Sequence, residues 1–114
     1  MDTDLTVITS AKGDVSVITL SGDLDAFTCG KLRDAIVELL DGGARKFVIN
    51  MPKVKYIDSS GLGTLVGGLR RISEQEGALA LCGANAQIRK VFTITGLSKV
   101  FPLYEDEAEA IGSF

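Results

Sequence analysis

The chain has 114 residues, of which 46% are apolar and 24% charged, and its net charge is −3. This length is enough for one domain with a single hydrophobic core, and the apolar fraction is typical of a globular protein. Acidic and basic residues are scattered, whereas a nucleic-acid surface needs a basic cluster. No apolar run approaches the roughly 20 residues of a membrane span, and residues 1–4 lack the basic and apolar parts of a signal peptide. We therefore predict one cytoplasmic domain, residues 1–114, without nucleic-acid or membrane partners.

The pattern of apolar residues in the first third of the sequence predicts a β-hairpin followed by a helix. Two β-branched runs, residues 5–9 and 15–20, flank a turn that contains a glycine. Residues 22–25 are predicted to form a loop. Apolar side chains between residues 32 and 40 recur at the i, i+3, i+4, i+7 spacing of a helix with one buried face, and Thr28 is a candidate N-cap.

The remaining sequence alternates strands and helices. Residues 47–51 are apolar without alternation, which is typical of a central strand covered on both faces. Residues 56–63, Tyr-Ile-Asp-Ser-Ser-Gly-Leu-Gly, lead from that strand into a helix that is predicted to end near Gly77. The alternation predicts an α/β fold with a mixed, mostly parallel sheet, an opening antiparallel hairpin and about four helices. The later predicted elements are a strand at 79–82, a helix at 87–95, a weak edge strand at 99–103 and a short helix at 105–111.

Three small polar residues, Asp58, Ser59 and Ser60, stand where the central strand is predicted to become a helix. Side-chain oxygens at this position accept hydrogen bonds from the unpaired N–H groups of a helix, so the serines can be simple caps. A phosphorylated serine here would instead act as a switch, because it carries about −1.5 to −2 charge and a helix N-terminus tolerates an anion. On the residues alone, both interpretations remain open.

Catalysis by a serine is not favoured. A serine nucleophile commonly needs a base such as histidine, and the chain contains no histidine, no Gly-x-Ser-x-Gly and no Ser-x-x-Lys. The two cysteines, Cys29 and Cys82, lie far apart without histidine partners, so we interpret them as structural residues rather than a metal site or a disulfide.

Nucleotide binding is not favoured either. In the series Gly61, Gly63, Gly67 the third glycine lies one residue too far along for the dinucleotide fingerprint, and no phosphate-binding Gly-Lys-Ser/Thr is present. We interpret Gly63, Gly67 and Gly68 as positions that let a helix lie close to a neighbouring backbone.

A receiver-like, metal-dependent phosphoacceptor is a further alternative. Asp23, Asp25 and Asp58 follow two strands, Lys99 lies near the end of the chain, and carboxylate oxygens suit Mg²⁺. The opening hairpin and the separation of the two early acids by Leu24 argue against it. In the simpler interpretation, Asp23 and Asp25 project into solvent while Leu24 anchors their loop.

Residues 54–63, Val-Lys-Tyr-Ile-Asp-Ser-Ser-Gly-Leu-Gly, resemble the signature of the STAS domain family, the sulphate-transporter and anti-sigma-factor-antagonist domains. Residues 20–25 and 94–97 resemble the second and third landmarks of the family. Together with the order of elements, the resemblance covers essentially the whole chain.

The resemblance implies a bacterial anti-sigma factor antagonist, a binding protein without cofactor, metal or catalytic residues. Such a protein, when unphosphorylated, binds an anti-sigma factor that is also an ATP-dependent serine kinase, and this frees a sigma factor for transcription. The kinase then phosphorylates the serine after the motif aspartate, here Ser59, and a serine phosphatase removes the phosphate. The partner-binding residues implied by the resemblance are Asp23, Asp25, Asp58, Ser60, Gly61, Leu62 and Gly63.

Other STAS proteins define the competing interpretation, a constitutive adaptor or scaffold with the same fold and no modification. STAS domains of anion transporters follow a membrane region, whereas stressosome and lipid-transport STAS proteins can be small. The intact Ser59 followed by Ser60 and Gly61 favours the phosphorylation switch.

Overall fold

A computed structural model describes residues 4–114, so the predicted lack of a signal peptide at residues 1–4 falls largely outside the described part. Within it, five strands form one sheet in the order β1-β2-β3-β4-β5. β1 is antiparallel to β2, and the other neighbours are parallel. The predicted α/β fold with a mixed sheet is thereby confirmed. The elements are β1 (Leu5–Lys12), β2 (Val15–Leu24), α1 (Cys29–Asp41), β3 (Lys46–Ile57), α2 (Ser59–Glu74), β4 (Ala78–Cys82), α3 (Ala86–Thr95), a 3₁₀ turn (Leu97–Lys99), β5 (Leu103–Tyr104) and α4 (Glu107–Gly112).

The opening hairpin has a two-residue turn between the paired residues Lys12 and Val15. Gly13, the first residue of the turn, has a φ of +64°, as a type II′ turn requires at that position. The register from Leu5 opposite Gly22 to Lys12 opposite Val15 is continuous. The predicted hairpin is confirmed.

Three predicted boundaries are wrong, the first being that of the central strand, predicted at 47–51, which extends from Lys46 to Ile57. Residues 22–24 belong to β2 instead of a loop, because β3 continues past Pro52 to Ile57 and offers them a pairing partner. The register between β2 and β3 is irregular near Pro52, which fits a residue that cannot donate to a ladder. The predicted strand at 99–103 is mostly turn, and only Leu103 and Tyr104 pair with β4.

The sheet buries its two faces unequally. The larger core lies between one face and the helices α1, α2 and α3, and the smaller one lies under α4. Within residues 4–114, no helix combines the length and the apolar character needed to cross a bilayer. The large core contains Leu20, Leu24, Leu32, Ile36, Phe47, Ile49, Leu65, Ile72, Leu81 and Phe92; the small one contains Val15, Val17, Val48, Ala80, Cys82 and Ala110.

A chain of polar contacts fastens α4 to the sheet. The Cys82 thiol donates to Asn50 Oδ1 at 3.2 Å, and Asn50 Nδ2 donates to Glu107 Oε1 at 3.2 Å. Glu107 Oε2 in turn lies 3.2 Å from Lys12 Nζ. Burial raises the pKa of the Cys82 thiol to about 11, and the negative charges of Glu107 and Asp106 add to this effect.

This environment predicts an unreactive thiol. At pH 8 only about one Cys82 side chain in a thousand would be ionised, and the thiolate is the nucleophile. We expect iodoacetamide to alkylate Cys82 at least about a hundredfold more slowly in the native protein than in guanidinium chloride, measured by peptide mass spectrometry. Cys29, which is half-buried, serves as the reference thiol in the same chain. Equal rates before and after unfolding would contradict this result.

Candidate functional site at the start of α2

The ends of β2 and β3 bring the candidate residues together. Asp23 pairs with Tyr56 and Leu24 with Ile57, so the carboxyl ends of both strands lie at the same end of the sheet. The Asp58 N–H then donates to the Leu24 carbonyl oxygen at 3.2 Å. As a result, the loop that follows β2 lies against the first turn of α2.

Asp58 is the N-cap of α2. One carboxylate oxygen, Oδ1, accepts from the Gly61 N–H at 2.9 Å, and the other, Oδ2, accepts from the Ala26 N–H at 3.3 Å. A single side chain thus satisfies a helix terminus and holds the neighbouring loop. The interpretation of Ser59 and Ser60 as the caps is therefore wrong, since they occupy the first two helical positions instead.

Ser59 is exposed on the first turn of α2, whereas Ser60 is half-buried. In residues 4–114, the Ser59 hydroxyl forms no hydrogen bond with another protein group. Ser60 instead faces a groove between α1 and α2 whose walls include Arg33 and Arg71. The two adjacent hydroxyls therefore differ in accessibility to a macromolecular partner.

The loop between β2 and α1 is shaped by the Asp25 side chain, which is only 8% exposed. Its Oδ1 accepts from the N–H groups of Phe27 at 2.9 Å and Thr28 at 3.1 Å. The Thr28 hydroxyl donates to the Asp23 carbonyl at 2.7 Å, so Thr28 occupies the predicted N-cap position of α1 without capping it through its side chain. The prediction that Asp23 and Asp25 both project into solvent is wrong for Asp25, while Asp23 is half-buried.

Phe27 is a candidate functional residue that the sequence analysis missed. Its side chain is 86% exposed, in the loop that Asp25 and Asp58 hold in place. The available signal was an aromatic residue between an aspartate and a threonine, where a strand is about to become a helix. Tyr56, at the end of β3, is 55% exposed and adds apolar surface near the same edge of the sheet.

Gly61 allows α2 to pack directly on the end of β2. A Cβ atom there would lie 2.5 Å from the Leu24 carbonyl oxygen and 2.9 Å from Leu24 Cγ. At Gly68 a Cβ would lie 2.7 Å from Ile36 Cδ1, so the predicted approach to a neighbouring backbone is replaced there by a contact with a side chain of α1. The prediction is also wrong for Gly63 and Gly67, since no atom would lie within 4 Å of a Cβ at either position.

The structure does not support a receiver-like site. Receiver domains have the strand order 2-1-3-4-5, whereas this sheet has the order β1-β2-β3-β4-β5 with an antiparallel first pair. Residues 4–114 contain no group of three or more acidic, cysteine or histidine side chains that could surround a metal ion. The carboxylates of Asp25 and Asp58 are occupied by backbone N–H groups.

Comparison with known proteins identifies the family. The STAS domain model matches residues 6–110, and the chain belongs to this family. It is 30% identical over 98 residues to the anti-sigma F factor antagonist of Paenibacillus polymyxa. This alignment covers 85% of this chain and 84% of that protein. An anti-sigma factor antagonist from Mycobacterium paratuberculosis superposes with a TM-score of 0.90 at 26% identity, over 99% of this chain and 96% of that one. The Bacillus cell fate determinant SpoIIAA in its phosphorylated form superposes with a TM-score of 0.72 at 27% identity, over 95% of this chain and 98% of that one.

The contrast between two glycines of α2 gives a test of the site's architecture. We expect Gly61→Ala to lower the free energy of unfolding by about 1–3 kcal/mol, because the new methyl group would displace the end of β2. Gly63→Ala is the matched control, and we expect it to raise stability by about 0.5–1 kcal/mol because an exposed helical glycine is replaced without a clash. Urea unfolding followed by circular dichroism measures both. Similar midpoints for the two variants would contradict the close packing.

Proposed function

We propose that this protein is an anti-sigma factor antagonist, a non-enzymatic binding module whose docking to an anti-sigma factor kinase is controlled by phosphorylation of Ser59. The observation that carries the proposal is the exposed, unbonded hydroxyl of Ser59 directly after the helix-capping Asp58. The names of the similar proteins support the same function, and the SpoIIAA structure is of a phosphorylated form.

The geometry favours Ser59 over Ser60 as the acceptor. A kinase must bring the γ-phosphate of ATP in line with the attacking hydroxyl, which requires open space around that oxygen. Ser59 is exposed, whereas Ser60 is half-buried and lines the groove between α1 and α2. Phosphorylation at Ser59 therefore needs no rearrangement of the described fold.

The helix start can accommodate the added charge. Asp58 accepts from the Gly61 N–H, and its backbone carbonyl accepts from the Leu62 N–H at 3.0 Å. In the described chain, the N–H groups of Ser59 and Ser60 have no protein acceptor, so they are available to phosphate oxygens. The modified domain is expected to stay folded while its surface gains about −1.5 to −2 charge.

The same charge would oppose docking of a partner that fits the unmodified surface. The negative charge of the phosphate would add to the charges of the Asp58 and Asp23 carboxylates, which lie at the same end of the sheet. Burying a mismatched charge in an interface costs about 2–5 kcal/mol. A penalty of this size weakens binding by about thirtyfold or more, which is enough to release a partner.

The proposed docking surface surrounds Ser59. Asp25 and Gly61 are buried and act by shaping the loop and the helix contact, whereas Phe27 provides an exposed aromatic side chain. Aromatic side chains often supply much of the binding energy of a protein–protein interface. The surface that we assign to the partner consists of Asp23, Phe27, Asp58, Ser60, Leu62 and Gly63, supported from below by Asp25 and Gly61.

In this proposal the kinase brings its own ATP, a serine phosphatase restores the unmodified form, and the regulated process is transcription by a sigma factor in the bacterial cytoplasm. The protein itself contributes the acceptor hydroxyl and the docking surface. A constitutive STAS adaptor would have the same fold and would bind its partner equally well with or without modification.

Incubation with the cognate anti-sigma factor kinase and ATP tests the switch. We expect one phosphate on Ser59, mapped by peptide mass spectrometry, and no phosphate on the Ser59→Ala variant. Ser59→Ala should keep its affinity for the kinase in the presence of ATP, whereas Ser59→Asp should bind about tenfold or more weakly in calorimetry. Ser60→Ala is the control and should still be phosphorylated.

Other outcomes of that experiment would reject the proposal. Phosphate on Asp58 would support receiver-like chemistry. Equal affinity of the unmodified, phosphorylated and Ser59→Asp proteins would support a constitutive adaptor.

The exposed aromatic residue gives an independent test of the docking surface. We expect Phe27→Ala to weaken kinase binding by about tenfold or more, because an interfacial aromatic is removed. Its unfolding midpoint should stay unchanged, since the side chain is 86% exposed and packs against little of the protein. Ile94→Ala is the control, because Ile94 is also exposed, at 73%, but lies on α3. An equal effect of both variants on binding would argue against a specific role for Phe27.

A further inference from the structure

The outer edge of β1 is long and pairs with no strand within residues 4–114, although Lys31 Nζ of α1 donates to the Leu5 carbonyl at 3.1 Å near the start of the strand. β1 has eight residues, and within residues 4–114 it pairs with β2 alone, so one side of its backbone has no partner strand. Proteins usually protect such edges with proline, bulges, several lysines or a covering loop. β1 has no proline, its pairing with β2 shows no register shift, and its one lysine, Lys12, stands at the very end. An exposed edge of this kind is suited to pairing with another strand.

The side chains of β1 alternate between two different surroundings. Leu5 and Val7 contact the large core beneath α1. The opposite face of the strand carries Ile8, which is 59% exposed, and ends at Lys12 beside Glu107 of α4. Each β1 edge therefore combines backbone groups that lack a partner strand with an exposed apolar side chain, Ile8, at its middle.

We propose that a second copy of this chain pairs with the outer edge of β1, antiparallel and centred on Ile8, to form a symmetric dimer with a continuous ten-stranded sheet. In this register Ile8 lies opposite Ile8 of the second copy at the two-fold axis. Thr6 lies opposite Ser10, and Asp4, which directly precedes the strand, lies opposite Lys12. Apolar, hydroxyl and opposite-charge pairs all stabilise antiparallel neighbours.

Charge complementarity selects this register. Asp4 and Lys12 are the only charged residues in the segment 4–12, one at each end. Among symmetric antiparallel registers, only the one centred on Ile8 places each Asp4 opposite a Lys12, twice in each dimer. A shift of the centre by two residues along the same face would place Ile8 opposite a charged residue instead. Lys12 is 58% exposed in its side chain, so it can contact both Glu107 of its own chain and Asp4 of the second copy.

The proposed dimer does not involve Ser59 itself. β1 lies at the edge of the sheet, whereas Ser59 follows β3, the central strand. The dimer would thus carry two Ser59 hydroxyls, and its interface would begin close to Asp23 of the proposed docking surface, because Leu5 pairs with Gly22. The inference does not depend on the proposed function, since it rests on β1 alone.

Sedimentation equilibrium of the full chain between about 1 µM and 500 µM tests the proposal, a range that covers dissociation constants typical of modest interfaces. We expect a reversible monomer–dimer equilibrium. Ile8→Lys should raise the dissociation constant at least about tenfold, because it places two like charges together at the axis. Ile94→Lys, an equally drastic change on the exposed face of α3, is the control and should leave the equilibrium unchanged.

A charge exchange tests the register itself. Asp4→Lys and Lys12→Asp should each weaken the homodimer, because each places like charges opposite one another. A mixture of the two variants should form a heterodimer, since every lysine then faces an aspartate again. Circular dichroism of each variant checks the fold, because Lys12→Asp also removes the contact with Glu107.

A monomeric protein over the whole concentration range would overturn the proposal, as would a dimer that is indifferent to Ile8→Lys. A dimer sensitive to Ile8→Lys whose two charge variants fail to associate when mixed would overturn the register.

Discussion

The two carboxylate oxygens of Asp58 hold the candidate site together. One satisfies the first turn of α2 through Gly61, and the other fixes the loop after β2 through Ala26. The backbone N–H of the same residue bonds to Leu24, so strand, loop and helix meet at one position. A cap contributes about 0.5–2 kcal/mol, a modest part of the stability of the whole domain, and here it acts together with the hydrogen bonds that Asp25 makes within the same loop. The position of the exposed Ser59 therefore depends on an aspartate that is already fully engaged.

The acidic residues near the site perform structural and surface roles at the same time. Asp25 is buried and uses its carboxylate to turn the backbone, and the turn leaves the neighbouring Phe27 in solvent. Single exposed apolar side chains are common on protein surfaces, so the interest of Phe27 lies in its loop, which Asp58 contacts through the Ala26 N–H. The local fold thus places an exposed aromatic side chain in the loop that contacts Asp58, the residue before Ser59.

The order of the elements could be predicted from the sequence because hydrophobic periodicity is a local property, and each helix and strand carries its own pattern. The residues that sequence reasoning placed wrongly depend on contacts between distant segments. The strand at residues 22–24 exists because β3 continues beyond Pro52, and no local pattern reports that pairing. Residues 58–60 all carry side-chain oxygens and are equivalent as candidate caps in the sequence. Only the N–H groups of Ala26 and Gly61, which donate to Asp58, show that Asp58 is the cap. Likewise, the exposure of Phe27 follows from the direction of the Asp25 turn, which is fixed by tertiary contacts. The binding and phosphorylation roles of the site residues remain predictions.

The unequal length of β3 and β4 has a consequence for how readily the sheet opens locally. β4 pairs with β3 only as far as Asn50, so residues 53–57 have β2 on one side and, on the other, a single side-chain bond from Asn85 to the Val54 carbonyl. Backbone amides in such an extension exchange with solvent through smaller openings than those in the centre of a sheet. Residues 53–57 are therefore expected to open more readily than the part of β3 that pairs on both sides, and the buried Val54 ties them to the large core. The start of α2 thus follows directly on the part of β3 that is paired with a strand on one side only.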